Sequence, residues 1–190
     1  LPSIEKVVVV PYTEQKADIS AVANAVHYQD FRSAESGLEV EFKQLPFEHP
    51  LYIMYSSGTT GLPKYMVQSA GGILVHHLKE LMLHTDLKRA DTIFYFTTCG
   101  WMMWNWLTSS LAVGATLVLF DGNPFHPHPG ALWEMAQDEK ISVFGTSAGY
   151  IAALQNAGVT PGKSYDLSPL RAVLSTGSPL SIEGFEFIYE

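Results

Sequence analysis

The sequence predicts an α/β domain built on a mainly parallel sheet with helices on both faces. Apolar runs of strand length alternate five times with longer segments of helical period, the pattern of strand-then-helix units. Hydrophobic residues make up 47% of the chain and charged residues 16%, enough apolar material for a core and too much for a disordered chain. The segment Thr92 to Phe120 carries no charge, yet Gly100, Gly114, Asn105 and a Thr-Ser-Ser run interrupt it. It reads as strand, helix and strand packed inside such a domain, not as a membrane span.

Taken in order, Val7–Val10 reads as a strand, and the polar stretches 12–18 and 32–41 as connectors. The strand-then-helix units follow: Leu51–Tyr55 with Ala70–Leu87, Ile93–Thr97 with Met102–Ala112, and Thr116–Phe120 with Ala131–Lys140. Ile141–Gly145 with Ala148–Asn156 and Ala172–Leu174 with Ile182–Tyr189 complete them. Ser181 to Glu190 reads as a helix with Ile182, Phe185 and Ile188 or Tyr189 on one side. It has no Gly or Asn cap, and Leu1-Pro2-Ser3 has no initiator Met, so residues 1–190 are expected to be one domain cut at both ends from a longer protein. Ligands of a parallel sheet collect beyond the carboxyl ends of its strands, here the loops 56–69, 98–101, 121–130, 145–148 and 175–180.

A chain of 190 residues buries roughly 70% of its unfolded surface and needs no disulfide or structural metal. Its one cysteine, Cys99, cannot form an internal bridge, and no charged n-region with an apolar h-region opens the chain, which fits a reducing, cytoplasmic setting. Cys99 has no basic neighbour in sequence to make it a nucleophile. The net charge of −8, from 11 basic and 19 acidic residues, argues against nucleic acid as a partner. His126-Pro127-His128, His76-His77 and His84 lack a Cys pair or a His-Glu-x-x-His pattern, so no metal site is expected.

The run Tyr55-Ser56-Ser57-Gly58-Thr59-Thr60-Gly61-Leu62-Pro63-Lys64 follows a strand directly. Small hydroxyls and two glycines let backbone N–H and side-chain O–H groups converge on one anion, and Lys64 adds a positive charge, which together make a polyphosphate cradle. It is not a Walker A loop, because Pro63 stands where Gly is required and Tyr65 where Ser or Thr is required.

This run resembles the signature loop of the acyl-adenylate-forming ligases. Further similarity lies in Gln44-Leu45-Pro46-Phe47, Ser69-Ala70-Gly71-Gly72, the run from Thr97 to Trp106, Gly114 to Leu119 with Asp121-Gly122, and Leu174 to Leu180. It covers most of the chain, is weakest over 12–42, and is closest to the branch that activates acetoacetate. The resemblance implies part of the large N-terminal domain of an AMP-forming acid–CoA ligase. ATP and acetoacetate would give acetoacetyl-AMP and pyrophosphate, and coenzyme A would then displace AMP, with Mg2+ as cofactor. It further implies phosphate binding by Ser56, Ser57, Gly58, Thr59, Thr60, Gly61 and Lys64, with Lys64 acting catalytically on the pyrophosphate side. Gly177, Ser178 and Pro179 would support adenine, and Trp101, Met102 and Met103 would line the acyl pocket opposite Thr176.

The residues leave alternatives open. Gly177 to Pro179 also suits a plain strand-to-helix turn, and Met102 and Met103 at helical spacing also suit a core. Gln68 stands four residues after Lys64, where many relatives carry His, and cannot titrate near pH 7; Tyr65 is bulky where many carry a small residue. The motifs expected to hold Mg2+, bind ribose and supply a C-terminal lysine are missing, so this chain alone is not expected to complete the reaction. A non-catalytic nucleotide- or acyl-binding module, or a ligase for another short-chain acid, are the competing readings. Apolar faces uncovered by the cut would favour self-association.

Overall fold

A computed structural model describes the chain except residues 1, 2, 13, 14, 33, 35, 36, 38 and 57–62, and for Ser56 the backbone alone. The chain divides into two compact units, Leu1–Gln44 and Leu45–Glu190. In the first, β1 (Val7–Val9) pairs in parallel with β2 (Ala25–His27), and the single turn α1 (Tyr28–Phe31) follows. The described residues of both expected connectors carry neither helix nor strand.

The second unit opens with β3 (Pro50–Ser56) and β4 (Lys64–Ser69), paired antiparallel as a separate two-stranded ribbon. This corrects the expectation that the Leu51–Tyr55 strand joins the parallel sheet and that its loop runs on towards a helix. Residues 64–69 form the return strand first, and only then does α2 (Ala70–Lys79) begin, capped by Ser69, whose hydroxyl accepts the Gly72 N–H at 3.3 Å. The expected helix to Leu87 also ends early: one π-helical turn, Glu80–His84, closes it, and Asp86 takes a left-handed φ of 52°.

Four strand-helix units remain, with ends within a few residues of those expected. They are β5 (Thr92–Tyr95) with α3 (Met102–Thr108) and a 3-10 turn (Ser109–Ala112); β6 (Thr116–Val118) with α4 (Ala131–Asp138); and β7 (Val143–Ser147) with α5 (Ala148–Asn156) and the short α6 (Pro161–Ser164). The last is β8 (Ala172–Thr176) with α7 (Ile182–Tyr189). The strands form one parallel sheet in the order β6-β5-β7-β8, so β5 and β7 are central and buried.

Successive side chains of a strand point to opposite faces, and the two cores divide accordingly. Ile93, Tyr95 and Val143 pack with Leu81, Leu107 and Trp106 on one face. Phe94 and Phe144 pack with Leu132, Trp133 and Leu154 on the other, where the Trp133 indole stacks on Phe144 at 4.2 Å between centroids. Such a stacked pair adds about 1 kcal/mol beyond its buried area.

At the amino ends of β5, β7 and β8 a polar clamp ties the strands together. Arg171 donates two hydrogen bonds to Asp91, at 3.1 and 2.7 Å, and others to the Thr85 and Asp86 carbonyls that the π-turn leaves open. Ser142 donates to Asp91 at 2.7 Å, and the Lys88 N–H supplies a further bond at 2.7 Å.

The apolar side foreseen for α7 does not face the core. Ile182, Phe185 and Tyr189 are exposed, whereas Gly184 is buried and Phe187 packs against the second core. The reason is Leu180, which lies against the Gly184 α-carbon and sets that side inward. Among the described residues no helix is long and apolar enough to cross a membrane.

Candidate functional site

Two places carry the residues singled out by the sequence. One is the far end of the β3–β4 ribbon. Lys64 opens β4 opposite Ser56, and strand alternation puts it on the same face as Met66 and Gln68. That face includes Tyr52, which pairs with Gln68 and meets the Asn105 side chain of α3; burial raises the Tyr52 phenol above its usual value and the Asn105 bond partly offsets this. Lys64 is exposed, and among the described residues its ammonium has no carboxylate partner. In a chain of net charge −8, such a cation is available to an anion. Ser57, Gly58, Thr59, Thr60 and Gly61 lie outside the described residues, as does the Ser56 side chain.

The other place is the carboxyl edge of the parallel sheet. There β7 and β8 end side by side, with Ser147 opposite Thr176. Ser147 is the N-cap of α5, its hydroxyl accepting the Tyr150 N–H at 3.2 Å, so the helix starts at the strand end. Beyond Thr176, Gly177 takes φ 94°, a conformation that costs other residues strain, and turns the chain away from β8 into Ser178-Pro179. Ser178 and Pro179 are exposed and stand between two clefts. One, of about 250 Å³, lies against α5 at Ala148, Gly149 and Ala152. The larger, of about 680 Å³, follows the open outer edge of β8 to Phe185 and Tyr189. Both clefts are lined by Ser178 and Pro179.

The loop after β5 brings Thr97, Thr98 and the exposed Cys99 to the same edge, and Trp101 is the N-cap of α3. Trp101 and Met102 remain accessible, at 36% and 43% exposure. Met103, half-buried, packs against the first core, so its alternative as core is the one its surroundings favour. Thr176 is half-buried.

Sequence reasoning missed Tyr95. Its ring meets Trp101 edge-on at 6.1 Å between centroids and Trp106 likewise at 6.1 Å, while its hydroxyl donates to the Thr146 carbonyl at 3.2 Å. Burial pushes its phenol up to about 12, so it stays a neutral donor. Gly145 beside it admits the ring: a Cβ there would lie within 2.5 Å of Tyr95 Cε2 and Cγ. The Phe94-Tyr95-Phe96 run was the available signal, but its length and period read only as strand. Of the histidines weighed for metal, His128 pairs with Glu134 at 3.0 Å and His77 is buried against Ser109. Among the described residues no group of three or more His, Cys, Asp or Glu side chains could hold a metal ion.

With this geometry in place, the chain can be set beside known proteins. It matches the family described as AMP-binding enzyme over residues 3–190. It is 54% identical over 184 residues to acetoacetyl-coenzyme A synthetase of Rhizobium meliloti (strain 1021), covering 96% of this chain and 28% of that protein. It is 40% identical over 211 residues to malonamoyl-CoA synthetase of Penicillium aethiopicum, covering 100% of this chain and 29% of that protein. The structure of acetoacetyl-CoA synthetase from Streptomyces lividans superposes with a TM-score of 0.83 at 45% identity, covering 99% of this chain and 28% of that one. The chain thus spans well under a third of the length of the relatives it matches.

Proposed function

The chain belongs to the AMP-binding enzyme family, and on that premise we propose that it is part of the large N-terminal domain of an AMP-forming acid–CoA ligase acting on acetoacetate. The observation that carries the reading is Lys64, an exposed cation without a carboxylate partner among the described residues, at the end of the ribbon that leads into the Ser-, Thr- and Gly-rich loop. An acid is activated when its carboxylate oxygen bonds to the α-phosphorus of ATP. The bond from that phosphorus to the β-phosphate oxygen breaks, and its electron pair leaves with pyrophosphate. Lys64 opposes the charge growing there, and the Ser56 to Thr60 hydroxyls and loop amides share the load. Mg2+, when bound, would screen the phosphate charge.

Adenine rests against the backbone of Gly177, Ser178 and Pro179, which the Gly177 turn keeps accessible. Trp101 and Met102 bound the acyl group, with Thr176 opposite, while Met103 supports them from the core; Tyr95 holds the Trp101 ring edge-on. Positioning of the carboxylate against phosphorus is the protein's main task, and no side-chain nucleophile is needed. In the second step the thiol of coenzyme A loses its proton to solvent and its sulfur bonds to the acyl carbon. The acyl–oxygen bond breaks and AMP departs with the electron pair. The exposed apolar sides of β3, at Leu51, Ile53 and Tyr55, and of α7 favour a larger domain around this chain and self-association of the chain by itself. The single exposed cysteine suits a cytoplasmic setting.

The malonamoyl relative favours a second reading, in which the adenylation chemistry stands and the acid differs. One or two pocket side chains change acid preference by only about 1–3 kcal/mol. ATP–pyrophosphate exchange by the ligase that carries this chain, with acetoacetate, acetate, butyrate and 3-hydroxybutyrate compared, decides between them. Strongest exchange with acetoacetate supports the reading, exchange with another acid discards the pocket, and none with any acid leaves a binding module.

A further inference from the structure

Two short motifs that flank the phosphate loop in sequence, one ending at Phe47 before it and one spanning Ser69 to Gly72 after it, meet in space at Phe47 and Gly71. The ribbon's ladder ends at the Pro50–Ser69 pair, but two backbone bonds continue it: Ala70 N–H to the His49 carbonyl at 2.8 Å and Gly71 N–H to the Phe47 carbonyl at 3.0 Å. The Phe47 ring covers the Gly71 α-carbon so closely that a Cβ on residue 71 would lie within 2.5 Å of ring atoms Cε2 and Cγ. Ser69 caps α2 at the same point. The two strands and the helix are therefore joined at one clasp.

From this geometry we infer that Phe47 and Gly71 are positioning residues for the triphosphate of ATP, acting through Lys64; the inference rests on the phosphate reading of the ribbon given above. Lys64 stands five residues beyond Ser69, and at about 3.3 Å per residue that is a lever of about 17 Å. A tilt of about 10° at the clasp moves Lys64 by about 3 Å, and misplacement of a charged group by about 1 Å already costs large factors in rate. The ring is 57% exposed, so an added Cβ can drive it outward into solvent. Gly71→Ala is thus expected to free the base of the ribbon and leave both cores of the parallel sheet intact.

The test uses the ligase that carries this chain, with KM for ATP and kcat read from pyrophosphate exchange and the unfolding temperature measured beside them. Gly71→Ala is expected to lower kcat/KM for ATP at least about fivefold, the loss falling mainly in kcat, with a small change in unfolding temperature, and Phe47→Ala about threefold. With the ring gone the new Cβ has room, so the double variant is expected to match Phe47→Ala and not to multiply the two effects. A merely structural role would lower the unfolding temperature with kcat/KM for ATP within about twofold, and that result overturns the inference, as does multiplication of the two factors. Should Gly71→Ala fail to fold, Phe47→Ala alone carries the same test. Lys64→Ala separates the two levels of the argument. If it leaves exchange unchanged, the phosphate reading falls and the clasp's role with it. If it cuts exchange while both clasp variants keep their kcat/KM for ATP, the clasp alone falls.

Discussion

Replacing Asp91 by Asn is expected to remove an acid-sensitive part of the stability of the sheet. Asp91 is 8% exposed and receives two hydrogen bonds from Arg171, one from Ser142 and one from the Lys88 N–H. The Arg171 bond, with those of Ser142 and Lys88, outweighs burial and holds the carboxyl at about 2, against an ordinary 3.8. At 1.36 kcal/mol per pH unit that difference corresponds to roughly 2–3 kcal/mol. Arg171 is open to solvent on one side, which screens the pair and brings the expected value to about 2 kcal/mol. Because the folded value is depressed, the contribution is complete above about pH 5, fades as pH falls through 3.8 towards 2, and is absent below. Urea unfolding of the parent chain and of Asp91→Asn between pH 7 and pH 2 reads it directly. The gap between the two is expected to be about 2 kcal/mol at pH 7 and to close towards pH 2. A gap that does not change with pH would refute the reasoning, because the clamp would then act through packing and not through charge.

Two further predictions concern the core. Gly145→Ala puts a methyl into the Tyr95 ring, and as Tyr95 is itself buried, unlike Phe47, the ring has nowhere to go; a loss of about 1–3 kcal/mol in urea unfolding is expected. His77 is buried and its imidazole is held below its usual value, first by burial and then by His76. Its Nδ1 lies 2.8 Å from Ser109 Oγ, and Ser109 gives its only proton to the Asn105 carbonyl at 2.9 Å, so the neutral ring must donate. The unfolded chain binds that proton more readily, so stability is expected to fall as pH drops below about 6.5, and His77→Gln is expected to lose this slope in the same unfolding series.

The sequence and the structure agree best where a period runs long enough to be counted. The ends of α5 at Ala148 and Asn156, and of α7 at Ile182 and Tyr189, coincide with those read from the pattern. The strand β2 has three residues, too few to show alternation. The strand β4 was hidden because Tyr65, Met66 and Val67 are apolar on both faces of an exposed ribbon and no two-residue turn announces a hairpin. The carboxyl edge of the sheet follows from strand direction, and Trp101, Thr176 and Gly177, which the resemblance singled out, lie along it. The Asp91–Arg171 clamp spans 80 residues of chain and the Tyr95–Thr146 bond 51, and no local pattern encodes either. The motifs at Phe47 and Gly71 were visible as resemblance, but their common role needs the contact between them.

The central claim is that Lys64 serves the departure of pyrophosphate. Its most direct test compares Lys64→Ala with the parent ligase in the two half-reactions, acetoacetate-dependent pyrophosphate exchange and transfer of a pre-made acetoacetyl-adenylate to coenzyme A. The account predicts exchange lowered by more than about fivefold, roughly 1 kcal/mol or more, with transfer to coenzyme A within about twofold of the parent. Exchange that survives the substitution, or equal losses in both half-reactions, would contradict it.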